Sequence, residues 1–221
     1  MGVNPEQNAK QKEATRKAIL TAGFRIFAEN TIERVKMTDV ADAAKIGVAT
    51  VYRHYGTKAD LVLAISSWIW GRYVTDIVQR ASEETNAAEQ LSYFLDSFLD
   101  LYRNHKDMLR FNQFFNVYVE SEDISEESMK PFKDVIVRII ERFHMIYQKA
   151  LVDHTVRTDI EEKEMFSTIT HHCVPSFSTI MPTLCPILPT SSRHCSYSLP
   201  SSSLRQSWQA IQRLLPCWHV A

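Results

Sequence analysis

Between residues 8 and 30, Ile19, Ala22, Gly23, Ile26 and Phe27 fall at the i, i+3, i+4, i+7 spacing that gives an α-helix one apolar stripe. Asn30 is expected to stop that helix in a left-handed conformation. Thr38 then offers an N-cap for a short helix, MTDVADAAK, whose Val40, Ala41 and Ala44 share one side and are small enough for close helix contact. IGVATVYRHYG predicts a second short helix, with Gly47 near its start and Gly56 just past its end. A longer helix followed by two short ones makes a three-helix head of residues 1–57.

Thr57 and Asp60 have the spacing of a capping box, with Asp in the usual Glu position, and they open a helix predicted over 58–82. Further helical patterns cover 87–104, 106–119 and 128–152, and a fifth begins at Asp159. Between two of them lies ESEDISEES, read as a solvated loop that sets negative charge at a helix N-terminus. It lacks the oxygen spacing and the glycine of a calcium loop. The 58–170 segment is therefore expected to be a helical-bundle domain. Near residue 170 the pattern stops. Residues 171–221 hold all four Cys, six of the eight Pro and ten Ser, but no Lys, Asp, Glu or Gly. The segment reads as an atypical tail with one local helix at 203–215, where Leu204, Trp208, Ile211 and Leu215 share a face before Pro216. Translation in a shifted frame would produce such a loss of every acid, and a genuine divergent tail is the alternative.

Composition narrows the class. With 221 residues, 45% hydrophobic and 23% charged, the chain is neither disordered nor fibrous, and its patterning makes it all-α. The net charge of −1 hides a division along the chain. Residues 1–60 carry 10 basic against 7 acidic groups, residues 61–170 carry 12 against 19, and residues 171–221 carry three Arg and no acid. A basic head on an acidic body suggests that the head alone meets a polyanion. The N-terminus has no apolar core of an export signal, and the longest apolar run, LVLAISSWIW, is about half a bilayer crossing. A cytoplasmic protein without membrane contact is expected.

The stretch TDVADAAKIGVATVYRHYGTKADL carries the most chemistry. Two short helices around a tight turn have helix-turn-helix spacing, and the second exposes Ala49, Thr50, Arg53 and His54. Such a helix can enter the major groove, with hydroxyl and cationic groups near its ends gripping phosphates. An ordinary helical hairpin explains the spacing but not the clustering of Thr50, Tyr52, Arg53, His54 and Lys58. ILTAGFRIFAEN, then TDVADAAKIGVATVYRHYGTKADLVLAI, resembles the N-terminal domain of the TetR family of transcriptional regulators over about 14–64, with TVYRHYGTK at 50–58 the most specific run.

The resemblance implies that Thr38, Val48, Ala49, Thr50, Tyr52, His54 and Lys58 face DNA, with Tyr52 and Lys58 mainly on phosphates. Periodicity alone would bury Val48 and Tyr52 beside Val51 and Tyr55. For Tyr52 the resemblance decides, and Val48 stays open. The chain departs from the family at Lys45, where the turn glycine usually stands, and at Gly47, often a Ser. A left-handed Lys costs of order 1 kcal/mol, which the adjacent Gly47 could relieve.

The 58–170 segment corresponds to the family's ligand-sensing domain and holds fourteen aromatics between Trp68 and Tyr147. Any one of them either fills core or lines a pocket, and Trp68, Phe94, Phe98, Phe111 and Phe115 are the candidate lining for a small apolar or aromatic effector. The expected function is a ligand-responsive repressor acting as a homodimer on a palindromic double-stranded DNA operator. Family members dimerise through two C-terminal helices, and the altered tail puts that interface in doubt. The rival is a helical ligand-binding or interaction protein whose DNA binding is impaired. No enzyme signature is present: Glu141 and His144 are a single Glu-x-x-His where a di-iron bundle needs two, and no P-loop or nucleophile elbow occurs. His171, His172, Cys173, Cys185, His194, Cys195, Cys217 and His219 lack Cys-x-x-Cys spacing, so neither metal nor cofactor is expected.

Overall fold

In a computed structural model of the chain, residues 5–81, 86–122 and 124–173 are described. Among them are eight α-helices and no strand. These are α1 Pro5–Glu29, α2 Met37–Ala44, α3 Val48–His54, α4 Lys58–Ala81, α5 Ala87–Asn104, α6 Lys106–Ser121, α7 Glu126–Asp153 and α8 Glu162–Cys173. Every helix that the patterning predicts up to residue 170 is present. The helix predicted over 203–215, and the Cys and His candidates beyond Cys173, lie outside the described residues.

The ends depart from expectation in instructive ways. Asn30 is not left-handed. Its backbone N–H and its Nδ2 both donate to the Ile26 carbonyl, at 2.9 and 3.2 Å, so its side chain helps to close the last turn of α1. Helix α2 starts at Met37 rather than being capped by Thr38. Lys36 is its N-cap, and the Asp39 carboxylate accepts from the Lys36 N–H at 2.8 Å. Helix α7 starts at Glu126, two residues before the predicted 128. Ser125 caps it by accepting from the Ser128 N–H at 3.2 Å, and Glu126 and Glu127 stand in the positive first turn. The box at α4 is as expected: Thr57 Oγ1 accepts from the Asp60 N–H at 3.0 Å, and Asp60 Oδ2 accepts from the Thr57 N–H at 2.9 Å.

The described residues form two compact units, one within 5–73 and 105–135, the other within 74–104 and 136–173, with the divisions inside α4 and α7. In the first, α1 packs on α2 and α6, and α2 on α3, around Ile19, Phe27, Val40, Val51, Leu61 and Ile65. Gly23 permits this approach, because a Cβ there would stand 2.7 Å from Ile65 Cδ1 and 3.6 Å from Val40 Cγ1. Tertiary packing thus explains the glycine in the middle of α1's apolar stripe. In the second unit, α5 packs on α8, and the rings of Phe98, Phe94, Phe143 and Phe166 follow one another at centroid distances of 5.0, 5.9 and 5.1 Å.

The second unit also ties off the start of α5. Asp153 Oδ2 accepts from the Ala87 N–H at 2.7 Å, and Thr155 Oγ1 accepts from the Ala88 N–H at 3.1 Å while donating to Asp153 Oδ1 at 2.7 Å. Burial pushes the Asp153 carboxyl upward, but the hydrogen bonds from Thr155 and Ala87, with the charge of Lys149, outweigh it and hold the group below its ordinary value. A depressed folded-state value means that the carboxylate stabilises above its unfolded value and loses that contribution as pH falls through the folded one. Asp153→Ala is expected to cost about 1–3 kcal/mol at neutral pH. The deficit should shrink in acid, where the wild type has lost the same charge. Urea unfolding at neutral pH and near pH 3 checks this, and an equal deficit at both would contradict it.

No helix among the described residues is long and apolar enough to cross a membrane.

Candidate nucleic-acid interface

Helices α2 and α3 meet across Lys45, Ile46 and Gly47. Lys45 adopts φ 55° and ψ 44°, its N–H bonds the Asp42 carbonyl at 3.1 Å, and the Ile46 N–H bonds that of Ala41 at 3.0 Å. The two bonds form a Schellman motif, with a lysine where glycine is favoured. Gly47 gives no relief, since it is extended at φ −61° and ψ 137° and caps α3 through its carbonyl. The strain therefore stays on Lys45. Lys45→Gly is expected to raise stability by about 1 kcal/mol, measured by urea unfolding. Lower stability in the variant would show that the Lys side chain itself stabilises the turn.

Helix α3 shows its two faces clearly. Val51 is fully buried and Tyr55, just past the helix, nearly so, which fastens this end of the motif to the core. Burial pushes the Tyr55 phenol above its ordinary value, against a lowering by Arg16. Val48 is 39% exposed and Tyr52 50%, so both point outward. Periodicity alone was misleading for this pair. Thr38, Ala49 and Arg53 are also exposed, with Thr50 and His54 half-buried. Arg53 Nη2 donates to Thr50 Oγ1 at 2.9 Å, which draws a cation and a hydroxyl together on the outer face.

Lys58 is placed differently from the expected phosphate contact. Its ammonium turns inward and donates to the backbone carbonyls of Ile32, Glu33 and Val35 at 3.0, 3.2 and 3.4 Å, and it stands 5.5 Å from the ring centroid of Tyr118. No sequence signal joined Tyr118 to this lysine, sixty residues away.

The candidate pocket residues divide between the two units. In the first, Phe111 and Phe115 are buried with stacked rings 6.1 Å apart, and Trp68 is half-buried with the Arg72 guanidinium 5.4 Å from its ring. Phe94 and Phe98 are buried in the second, 5.0 Å apart and edge to face. Patterning missed a buried polar pair in the first unit: Trp70 Nε1 donates to Asn112 Oδ1 at 3.3 Å, with Ser66 fully buried one turn before Trp70. The only clue was a pair of Asn residues, 112 and 116, within an aromatic run. His144, half of the lone Glu-x-x-His, pairs through Nδ1 with Glu162 at 2.9 Å, and no cluster of potential metal ligands occurs among the described residues.

Residues 19–65 match a family of proteins described as bacterial regulatory proteins, tetR family. The HTH-type transcriptional regulator SAR2658 of Staphylococcus aureus is 26% identical over 101 residues, 46% of this chain and 55% of that protein. The chain thus spans about half the length of the curated relative it matches. Solved structures share the fold, two of them as follows. FadR of Bacillus subtilis in complex with stearoyl-CoA has a TM-score of 0.63 at 14% identity, over 91% of this chain and 98% of that one. A TetR-family regulator from Agrobacterium tumefaciens has 0.65 at 9% identity, over 92% and 99%.

Proposed function

Since the N-terminal helices of this chain carry the helix-turn-helix of the tetR family, we propose that the protein is a DNA-binding transcriptional regulator, acting as a ligand-responsive repressor on a palindromic operator. The observation that carries this reading is the outer face of α3. A short helix anchored by Val51 and Tyr55 displays Val48, Ala49, Thr50, Tyr52, Arg53 and His54, with Thr38 exposed on α2. An aromatic hydroxyl, a guanidinium, a threonine hydroxyl and small apolar side chains supply both phosphate grip and base-edge contact. None of these displayed side chains is buried in the core, unlike Val51 and Tyr55.

Repression by a homodimer requires two such helices about 34–36 Å apart, so that they enter successive major grooves. An apolar or aromatic effector held among the aromatics of one unit, such as Trp68, Phe111 and Phe115 in the first, would favour a geometry with a different spacing, and α4, which directly follows the head, would carry the change. Electrophoretic mobility shift of the purified full chain, against duplex from its own upstream region, tests the reading. A salt-sensitive shift with preference for a palindrome supports it. Absence of any shift in low salt would leave a helical ligand-binding protein instead.

A further inference from the structure

We propose that Lys58 is a positioning residue, an internal clasp that fixes the helix-turn-helix against α4 and α6, rather than a contact to DNA phosphate. The inference rests on the DNA-binding reading above for its consequence, though not for its geometry. An ammonium has three N–H donors and no more. All three are placed, on the carbonyls of Ile32, Glu33 and Val35 in the loop between α1 and α2. The charge also stands 5.5 Å from the ring centroid of Tyr118, a buried residue in the last turn of α6, within the roughly 6 Å at which cation–π attraction acts. A lysine reaching for phosphate would have to give up this whole set.

The clasp sits where it can govern the motif. Val35, whose carbonyl Lys58 holds, immediately precedes Lys36, the N-cap of α2. The same loop is closed by the Arg34 N–H on the Thr31 carbonyl at 3.1 Å and by the Lys36 N–H on Asp39 at 2.8 Å. Lys58 is itself the first residue of α4, fixed by the Thr57–Asp60 box. One charge therefore joins the loop that launches α2, the start of α4 and the end of α6. Orientation of the recognition helix depends on it without any contact to DNA.

Three variants of the full chain decide the matter: Lys58→Met, Lys58→Arg and Tyr118→Leu. Amide exchange is measured without DNA, and affinity for a mixed-sequence duplex of about 30 base pairs is measured across a salt series. A clasp predicts that Lys58→Met speeds exchange at Arg34, Lys36, Asp39 and Val40 by about tenfold or more, because hydrogen bonds to a charged group are removed. It lowers affinity by a similar factor at every salt concentration, with the slope unchanged. Lys58→Arg behaves like Met, since a planar guanidinium cannot point three donors at three converging carbonyls. Tyr118→Leu moves exchange in the same direction, because it removes the ring beside the ammonium. The proposal is overturned if Lys58→Met leaves exchange unaltered while the salt slope drops by about one unit, or if Lys58→Arg retains wild-type affinity and slope. Failure of the wild type to bind any duplex would sink the DNA-binding reading alone, because exchange still decides the clasp.

Discussion

Trp70→Ala should destabilise the protein by about 4 kcal/mol or more, close to the whole stability of a small domain. Trp70 is fully buried in the first unit, with its ring edge-on to Tyr73 at 6.0 Å. Truncating so large a side chain costs about 3–5 kcal/mol, through forfeited transfer energy and the cavity left behind. Removing Nε1 adds a second penalty. Asn112 Oδ1, on a residue with no exposed surface, loses its donor at a cost of roughly 1–3 kcal/mol. The indole also determines which way the amide lies, since a flipped Asn112 would set its NH2 against the Trp70 N–H. Trp70→Phe keeps much of the volume and loses only the donor, so it should fall between the wild type and Trp70→Ala. Urea unfolding followed by circular dichroism gives the order. A Trp70→Ala protein within about 1 kcal/mol of the wild type would mean that the site collapses freely, contrary to its packing.

The paired substitution Tyr52→Ala with Arg53→Ala should abolish most DNA binding and leave folding almost untouched. Both side chains are exposed, and the Arg53–Thr50 pair is a surface hydrogen bond, so the expected change in stability is within about 0.5 kcal/mol. The phosphate or base interaction of each side chain is worth about 1–3 kcal/mol, so removing both lowers affinity by roughly 30-fold or more per head. A dimer would feel the effect twice. Mobility shift on the same duplex, with thermal unfolding as the folding control, separates the outcomes. Undiminished binding by a folded double variant would remove this face of α3 from the interface.

Local patterning was enough to place the helices and several of their caps, because amphipathic period and capping depend on residues three or four apart. The Thr57–Asp60 box and the solvated start of α7 belong to that class, whereas the left-handed turn at Lys45 followed from the family resemblance. A seven-residue helix is another matter. Val48, Val51, Tyr52 and Tyr55 fall at i, i+3, i+4 and i+7 on one stripe, so periodicity by itself would bury all four. Packing against the rest of the first unit decided it, burying Val51 and Tyr55 and exposing Val48 and Tyr52. Here the family resemblance supplied for Tyr52 what physical patterning alone could not.

The remaining site features are non-local. Lys58 reads in sequence as a free cation beside a recognition helix, and only the folded chain brings the carbonyls of Ile32, Glu33 and Val35 and the ring of Tyr118 around it. Trp70 and Asn112, 42 residues apart, become partners only when α4 and α6 pack. Gly23 counts in sequence only as a member of α1's apolar stripe, and the neighbouring Ile65 shows why a side chain has no room there. The sequence by itself determined the all-α class, the helix order and the helix-turn-helix, since these follow from short-range periodicity and turn chemistry. Tertiary structure alone decided which face of α3 is presented and where the Lys58 charge goes, because both depend on groups that only long-range packing brings within bonding distance.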